Sequence, residues 1–258
     1  MKTSWIIRIV LLCFLAISTT LNSQEKLGIE EHLGQQLPLD LKFVKSNGDT
    51  VELKSLVNKP TIFYFVYFHC GGICNPMQNA VADGISRLKL EAGQDYNIIT
   101  VCFDPKSTTD DAKNWMNNTK EVMNRYIPNG AWNVLIGDSL NIKKLADAAG
   151  FYYKPDGRGD FIHAGTIFTI SPTGHISRYL YFDKYFNPFD LKMALFEAGK
   201  SESNPTIRTV LQYCFSYDPK GKTYVFNATK IIGVFMLLAV GGFFAYLVIS
   251  GKKRNNIN

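Results

Sequence analysis

The chain has 258 residues, 46% of them hydrophobic, and a formal net charge of +6, enough for one well-filled α/β domain with appendages at its ends. Lys2 and Arg8 carry two of those charges and Lys252, Lys253 and Arg254 three, so the rest keeps only +1, and a nearly neutral body lacks the footprint of a nucleic-acid binder. Five cysteines over this length are too few for a small disulfide-stapled scaffold.

Residues 1–23 combine a basic start, an apolar core from Ile9 to Ile17 and a small polar stretch, the pattern of a secretory signal too short to span a bilayer. Cys13 lies inside that core and is expected to leave with it. Residues 24–37 are polar and read as a flexible N-terminal segment. Leu39–Val44 and Val51–Leu56 flank Ser46-Asn47-Gly48-Asp49, a hairpin signal. After Lys59-Pro60 comes the central stretch, an unbroken apolar run from Ile62 to Phe68 that predicts a strand buried on both faces of a mostly parallel sheet.

His69, Cys70, Gly71, Gly72, Ile73, Cys74, Asn75 and Pro76 follow, with Asn75 as expected N-cap and Pro76 as first helical residue. Met77, Val81, Ile85, Leu88 and Ala92 give the helix its apolar stripe. Tyr96–Phe103 predicts a second buried strand, Thr109–Tyr126 a helix capped by Ser107 or Thr108, Asn133–Ile136 a third strand, and Gly137-Asp138-Ser139 the start of another helix. Phe151–Asp160 is a Gly-rich charged loop leading to His163. Thr166–Ile170 and His175–Phe182, joined by Ser171-Pro172-Thr173-Gly174, predict an antiparallel edge hairpin, and Pro188–Gly199 a last helix. The order indicates an α/β sandwich with a mixed sheet over residues 38–200.

Residues 201–229 read as a juxtamembrane segment. Ile231–Ile249 carries no charge, and Lys252, Lys253 and Arg254 follow it. The expected arrangement is a transmembrane helix over 230–250 with residues 251–258 as a cytoplasmic tail. Residues 24–229 would then lie outside the plasma membrane.

Cys70 and Cys74 stand just past the carboxyl end of the central strand, where open α/β sheets place their ligands. A helix N-terminus there favours the thiolate over the thiol. Three residues between them, two of them glycine, let both sulfurs converge, either as a disulfide or as two ligands of one ion. Copper suits two thiolates completed by an imidazole, whereas structural zinc asks for a closed set of four. Of the four histidines, His32 and His175 read as surface residues, and His69, directly before Cys70, as a strand-end residue or a ligand. His163 is the expected third ligand, because thioredoxin-like proteins place the residue facing their thiols on a strand entering the sheet at this point, and Phe161-Ile162-His163-Ala164-Gly165-Thr166 has no proline there. Cys102 reads as a small core residue. Asp104 reads as a loop cap, and Cys214 as a packed thiol or an auxiliary ligand.

From Gly34 to Ala198 the chain resembles the Sco/SenC copper chaperones. The likeness rests on Lys59-Pro60-Thr61 before the apolar strand, Cys70-x-x-x-Cys74 followed by Asn75-Pro76, Phe103-Asp104-Pro105, the stretch Asn133–Leu145, His163, and Thr166–Gly174. It implies a thioredoxin-like fold and copper, Cu(I) and also Cu(II), held by Cys70, Cys74 and His163. It also implies delivery to the binuclear copper centre of cytochrome c oxidase during assembly. Gly71 stands where family members often carry proline, which predicts a more flexible loop. The tail, with Cys214, Tyr217-Asp218-Pro219 and Gly221 before a terminal span, is similar to that of some bacterial members, implying an inner-membrane protein with a periplasmic ectodomain. No substrate conversion is required, so the reading is a metallochaperone. The rival is a thiol-disulfide reductase using Cys70 and Cys74 as a redox pair that keeps the acceptor cysteines reduced.

Overall fold

A computed structural model describes residues 26–203, the backbone of 215–218 and 223–226, and positions 236, 240 and 243. The leader expected at 1–23, Cys214, nearly all of the span expected at 230–250 and the tail 251–258 lie outside the described residues. Among those described, no helix is long and apolar enough to cross a membrane.

The strands are β1 (Gly28–Ile29), β2 (Lys42–Lys45), β3 (Thr50–Glu52), β4 (Thr61–Val66), β5 (Asn97–Cys102), β6 (Trp132–Ile136), β7 (Phe151–Tyr152), β8 (Lys154–Pro155), β9 (Phe161–Ile162), β10 (Thr166–Ile170), β11 (Ile176–Tyr181), β12 (Phe215–Asp218) and β13 (Thr223–Phe226). The helices are α1 (Leu53–Leu56), α2 (Cys74–Ser86), α3 (Thr109–Val122), α4 (Ser139–Ala148) and α5 (Pro188–Gly199). Seven strands form one mixed sheet in the order β11-β10-β4-β5-β6-β2-β3. β4, β5 and β6 run parallel; β10 and β2 flank them antiparallel. Every residue of β4, β5 and β10 is buried, which is why their sequences are mostly apolar with no polar-apolar alternation, the few polar residues (Thr61, Asn97, Thr100, Thr166, Thr169) being buried as well.

α2 lies against both α3 and α5. Buried hydrogen bonds fix that arrangement: Tyr64 Oη donates to Gln78 Oε1 at 2.6 Å, Gln78 Nε2 to Thr119 Oγ1 at 2.8 Å, and Thr119 Oγ1 to the Trp115 carbonyl at 2.7 Å. α3 starts at a capping box between Thr108 and Asp111, and Asp138 caps α4.

The structure departs from the sequence reading in several places: Phe151–Asp160, read as a loop, holds the short strands β7 and β8, and the helix expected to reach Tyr126 ends at Val122. Leu53–Leu56 is a helical turn rather than a strand; Leu53 is fully buried and the Lys54 N–H donates to the Leu39 carbonyl. α2 begins at Cys74, not Pro76, because the Met77 N–H already bonds the Ile73 carbonyl at 3.0 Å. Pro76 is tolerated there, since first-turn N–H groups have no intrahelical partner in any case. The segment before Leu37 is held rather than loose. β1 pairs with β7, the Gly34 N–H donates to the Ile176 carbonyl, and Leu37 is buried. His32 belongs to this strap and is half-buried, its Nδ1 3.1 Å from the Ala148 carbonyl.

The two ends of the sheet differ in use. The carboxyl ends of β4 and β5 carry the cysteine loop. At the other end, Gly199 closes α5 beside Pro60, and Ser203 Oγ donates to the Ile176 carbonyl at 3.1 Å, so the continuously described part of the chain ends there.

Candidate metal centre

After β4 the chain turns through Tyr67–Ile73, with the Cys70 N–H donating to the Tyr67 carbonyl at 3.2 Å. The Tyr67 N–H donates to Cys74 Sγ at 3.4 Å and the Gly72 N–H to Cys70 Sγ at 3.3 Å. Each sulfur is thus placed by a backbone donor. Gly71 and Gly72 are exposed, and a Cβ at Gly71 would meet nothing. The opening of the loop toward solvent is unobstructed at that point.

β9 brings in His163, 8% exposed, with Nε2 3.4 Å from Cys74 Sγ. Its Nδ1 lies 3.1 Å from the Ala164 carbonyl. A carbonyl only accepts, so Nδ1 carries the proton and the Nε2 lone pair faces the sulfur, the tautomer a metal-binding imidazole needs. Phe103 packs edge-on to the imidazole with centroids 5.1 Å apart, and Phe151 lies 6.1 Å away. Phe161 and Tyr153 continue this wall against Phe103. The sequence reading missed this aromatic support. Its signal was the cluster Phe151-Tyr152-Tyr153 and Phe161 inside a stretch otherwise rich in glycine and charge.

The donor atoms of Cys70, Cys74 and His163 all lie within 4.8 Å of one another. One ion at bond lengths of about 2.0–2.3 Å reaches all three after a small closure of the loop. Two soft sulfurs and one imidazole nitrogen fit Cu(I); the group has no fourth ligand among the described residues, which fits a closed zinc site poorly.

The remaining sequence candidates fall elsewhere. His69 is exposed and points to Asp111, Nε2 to Oδ1 3.5 Å. His175 bonds Thr173 at the turn before β11. Cys102 is fully buried beside Ser107 Oγ at 3.1 Å, and burial pushes its thiol up. Asp104 Oδ1 accepts from the Lys106 N–H, closing its own loop.

The two site sulfurs share a proton unequally. The Cys74 S–H donates to Cys70 and holds the Cys70 thiol well below its ordinary range, with the Gly72 N–H helping. The same hydrogen bond, with burial, pushes Cys74 up. Thiolate therefore resides on Cys70. In the reduced, metal-free protein, iodoacetamide should label Cys70 ahead of Cys74 and Cys102. A lowered value keeps the reactive form present until the pH falls through it, so labelling should persist below about pH 8.5, where an ordinary thiol fades. Peptide mapping after timed labelling across the pH range checks this; a rate at Cys70 that fades in step with a free thiol would contradict it.

Comparison with known proteins gives a consistent picture. The sequence profile described as SCO1/SenC matches residues 30–191. The SCO1 protein homolog of Bacillus subtilis is 28% identical over 158 residues, which are 55% of this chain and 76% of that protein. The crystal structure of an Aquifex aeolicus protein with a proposed electron-transfer role is 31% identical and covers 65% of this chain and 95% of its own, with a TM-score of 0.59. That of Arabidopsis thaliana ScoI, solved with copper bound, is 22% identical over 62% of this chain and 96% of its own, with a TM-score of 0.51, a likeness of fold.

Proposed function

Because the chain belongs to the SCO1/SenC family, we propose that it is a membrane-tethered copper chaperone that delivers its metal to the binuclear copper centre of a respiratory oxidase during assembly. The observation that carries this reading is the convergence of Cys70, Cys74 and His163 at the carboxyl end of the sheet. Cys70 enters as a thiolate, Cys74 releases its proton on binding, and His163 offers Nε2 without deprotonation. Copper is the cargo. The open side of the glycine loop admits an acceptor's cysteine or histidine, which displaces these ligands one at a time, so the metal is never free.

The uncharged run Ile231–Ile249 and the basic residues after it support the tether, with the ectodomain in the periplasm and the C-terminus in the cytoplasm. Met236, Val240 and Phe243, helical and exposed at four- and three-residue spacing, fit a surface that meets lipid.

A second reading, reduction of the acceptor's cysteines, is favoured by the free Cys70 and Cys74 and the lowered Cys70 thiol. His163→Ala separates the two. Copper delivery predicts a loss of copper affinity, larger for Cu(II) than for Cu(I), and a loss of oxidase maturation while disulfide reduction continues. Retention of oxidase maturation by this variant would favour the reductase.

A further inference from the structure

The imidazole reaches the thiols on an arm that the main sheet does not hold. β9, which His163 follows directly, pairs with β8 in a two-stranded sheet of its own, apart from the seven-stranded one. A hairpin that short is marginal by itself and takes its position from what its side chains dock on. Tyr67, 8% exposed, is such a dock. Its ring meets Phe161 edge-on with centroids 5.1 Å apart and lies 6.1 Å from Phe103, and its Oη donates to the Gly159 carbonyl at 3.5 Å. The main chain of the same residue holds the thiols: its N–H donates to Cys74 Sγ and its carbonyl accepts from the Cys70 N–H. Tyr67 therefore touches both halves of the site, the thiol loop through its backbone and the imidazole arm through its ring.

We propose that Tyr67 is a positioning residue that sets the distance between the thiol pair and His163 Nε2, and so fixes how much the imidazole contributes to copper binding. The inference rests on the reading that Cys70, Cys74 and His163 hold copper. A ring packed on Phe161 keeps β9 in place, and with it the 3.4 Å approach of Nε2 to Cys74 Sγ. A smaller aliphatic side chain at position 67 leaves the two backbone bonds of the thiol loop intact but releases the arm. The loss then falls on the nitrogen ligand, so Cu(II), which depends on nitrogen, suffers more than Cu(I), which two thiolates satisfy.

A double-mutant cycle on the full-length protein tests this. Tyr67→Leu should lower Cu(II) affinity about tenfold or more, the scale of changes just outside a ligand set, and leave Cu(I) affinity within about threefold. In the His163→Ala background the same replacement should cost nothing further, because the ligand it acts through is gone. In the metal-free protein, amides of residues 156–162 should exchange faster in Tyr67→Leu while β4 and β5 keep their protection. Phe161→Leu, which breaks the contact from its half-buried side, should reproduce both effects, and Tyr67→Phe, which keeps the ring, should restore most of the affinity. The proposal is overturned if Tyr67→Leu and Phe161→Leu keep parent-like Cu(II) affinity while His163→Ala loses it. It is overturned equally if Tyr67→Leu costs as much without His163 as with it, the mark of general packing. Parent-like Cu(II) binding by His163→Ala would remove the three-ligand site itself, and this proposal with it.

Discussion

Replacing Cys74 by alanine should abolish tight copper binding, lowering Cu(I) affinity by well over the roughly 10–100-fold that changes outside the ligand set cost. Cys74 is the hub of the site: fully buried, first residue of α2, and in contact with both the Tyr67 N–H and His163 Nε2. Removing its sulfur leaves Cys70 and His163 without the donor between them. Cys70→Ala should be nearly as damaging, and His163→Ala less so for Cu(I) than for Cu(II), because the softer ion is satisfied by two thiolates while the harder one depends on nitrogen. Anaerobic titration of each full-length variant against a competing chelator, with metal quantification, measures this. Parent-like affinity in Cys74→Ala would remove the basis for the proposed function. Circular dichroism distinguishes lost ligation from lost folding.

Gly150→Ala should be the most destabilising small substitution outside the site, costing roughly 2–5 kcal/mol. Gly150 has φ of +60°, and a Cβ there would lie 1.8 Å from the Glu30 carbonyl oxygen, a backbone atom that cannot swing aside. The Glu30 N–H donates to the Gly150 carbonyl at 2.9 Å, and Tyr179 Oη donates to the neighbouring Ala149 carbonyl. The added methyl must therefore part β1 from β7. Phe151 follows at once, stacked on Phe65 and packed near His163, so copper affinity should fall alongside stability. Urea unfolding of the two proteins checks the cost, and hydrogen exchange should show residues 28–34 opening first. A change below about 0.5 kcal/mol would mean that the strap contributes little.

Burial on both faces left a direct trace in the sequence. Ile62–Phe68 reads as a buried strand because nothing polar interrupts its apolar side chains, and Tyr96–Phe103 because only Asn97 and Thr100 do. The meeting of Cys70, Cys74 and His163 was legible for another reason: soft-ligand chemistry limits which residue types can complete a pair of thiols, and only one histidine enters the sheet beside them. Backbone ties left no such trace. The strap of residues 28–37 is held through main-chain groups of Gly28, Gly34 and Gln35, and its polar composition therefore read as loose. The helix start at Cys74 was hidden for a similar reason: Asn75 and Pro76 are good terminal residues, but Ile73 takes the N-cap without any side-chain bond. Tyr153 and Phe161 were obscured by the charged, glycine-rich residues between them.

The last described residues of the domain lie beside Pro60, at the opposite end of β4 from Cys70. The metal-binding end of the sheet is therefore separated from residue 203 by about 20 Å of strand. On the proposed tether, changing the length of chain between residue 203 and the apolar run would alter how often the cysteine loop meets a recipient without altering how tightly Cys70, Cys74 and His163 grip the metal.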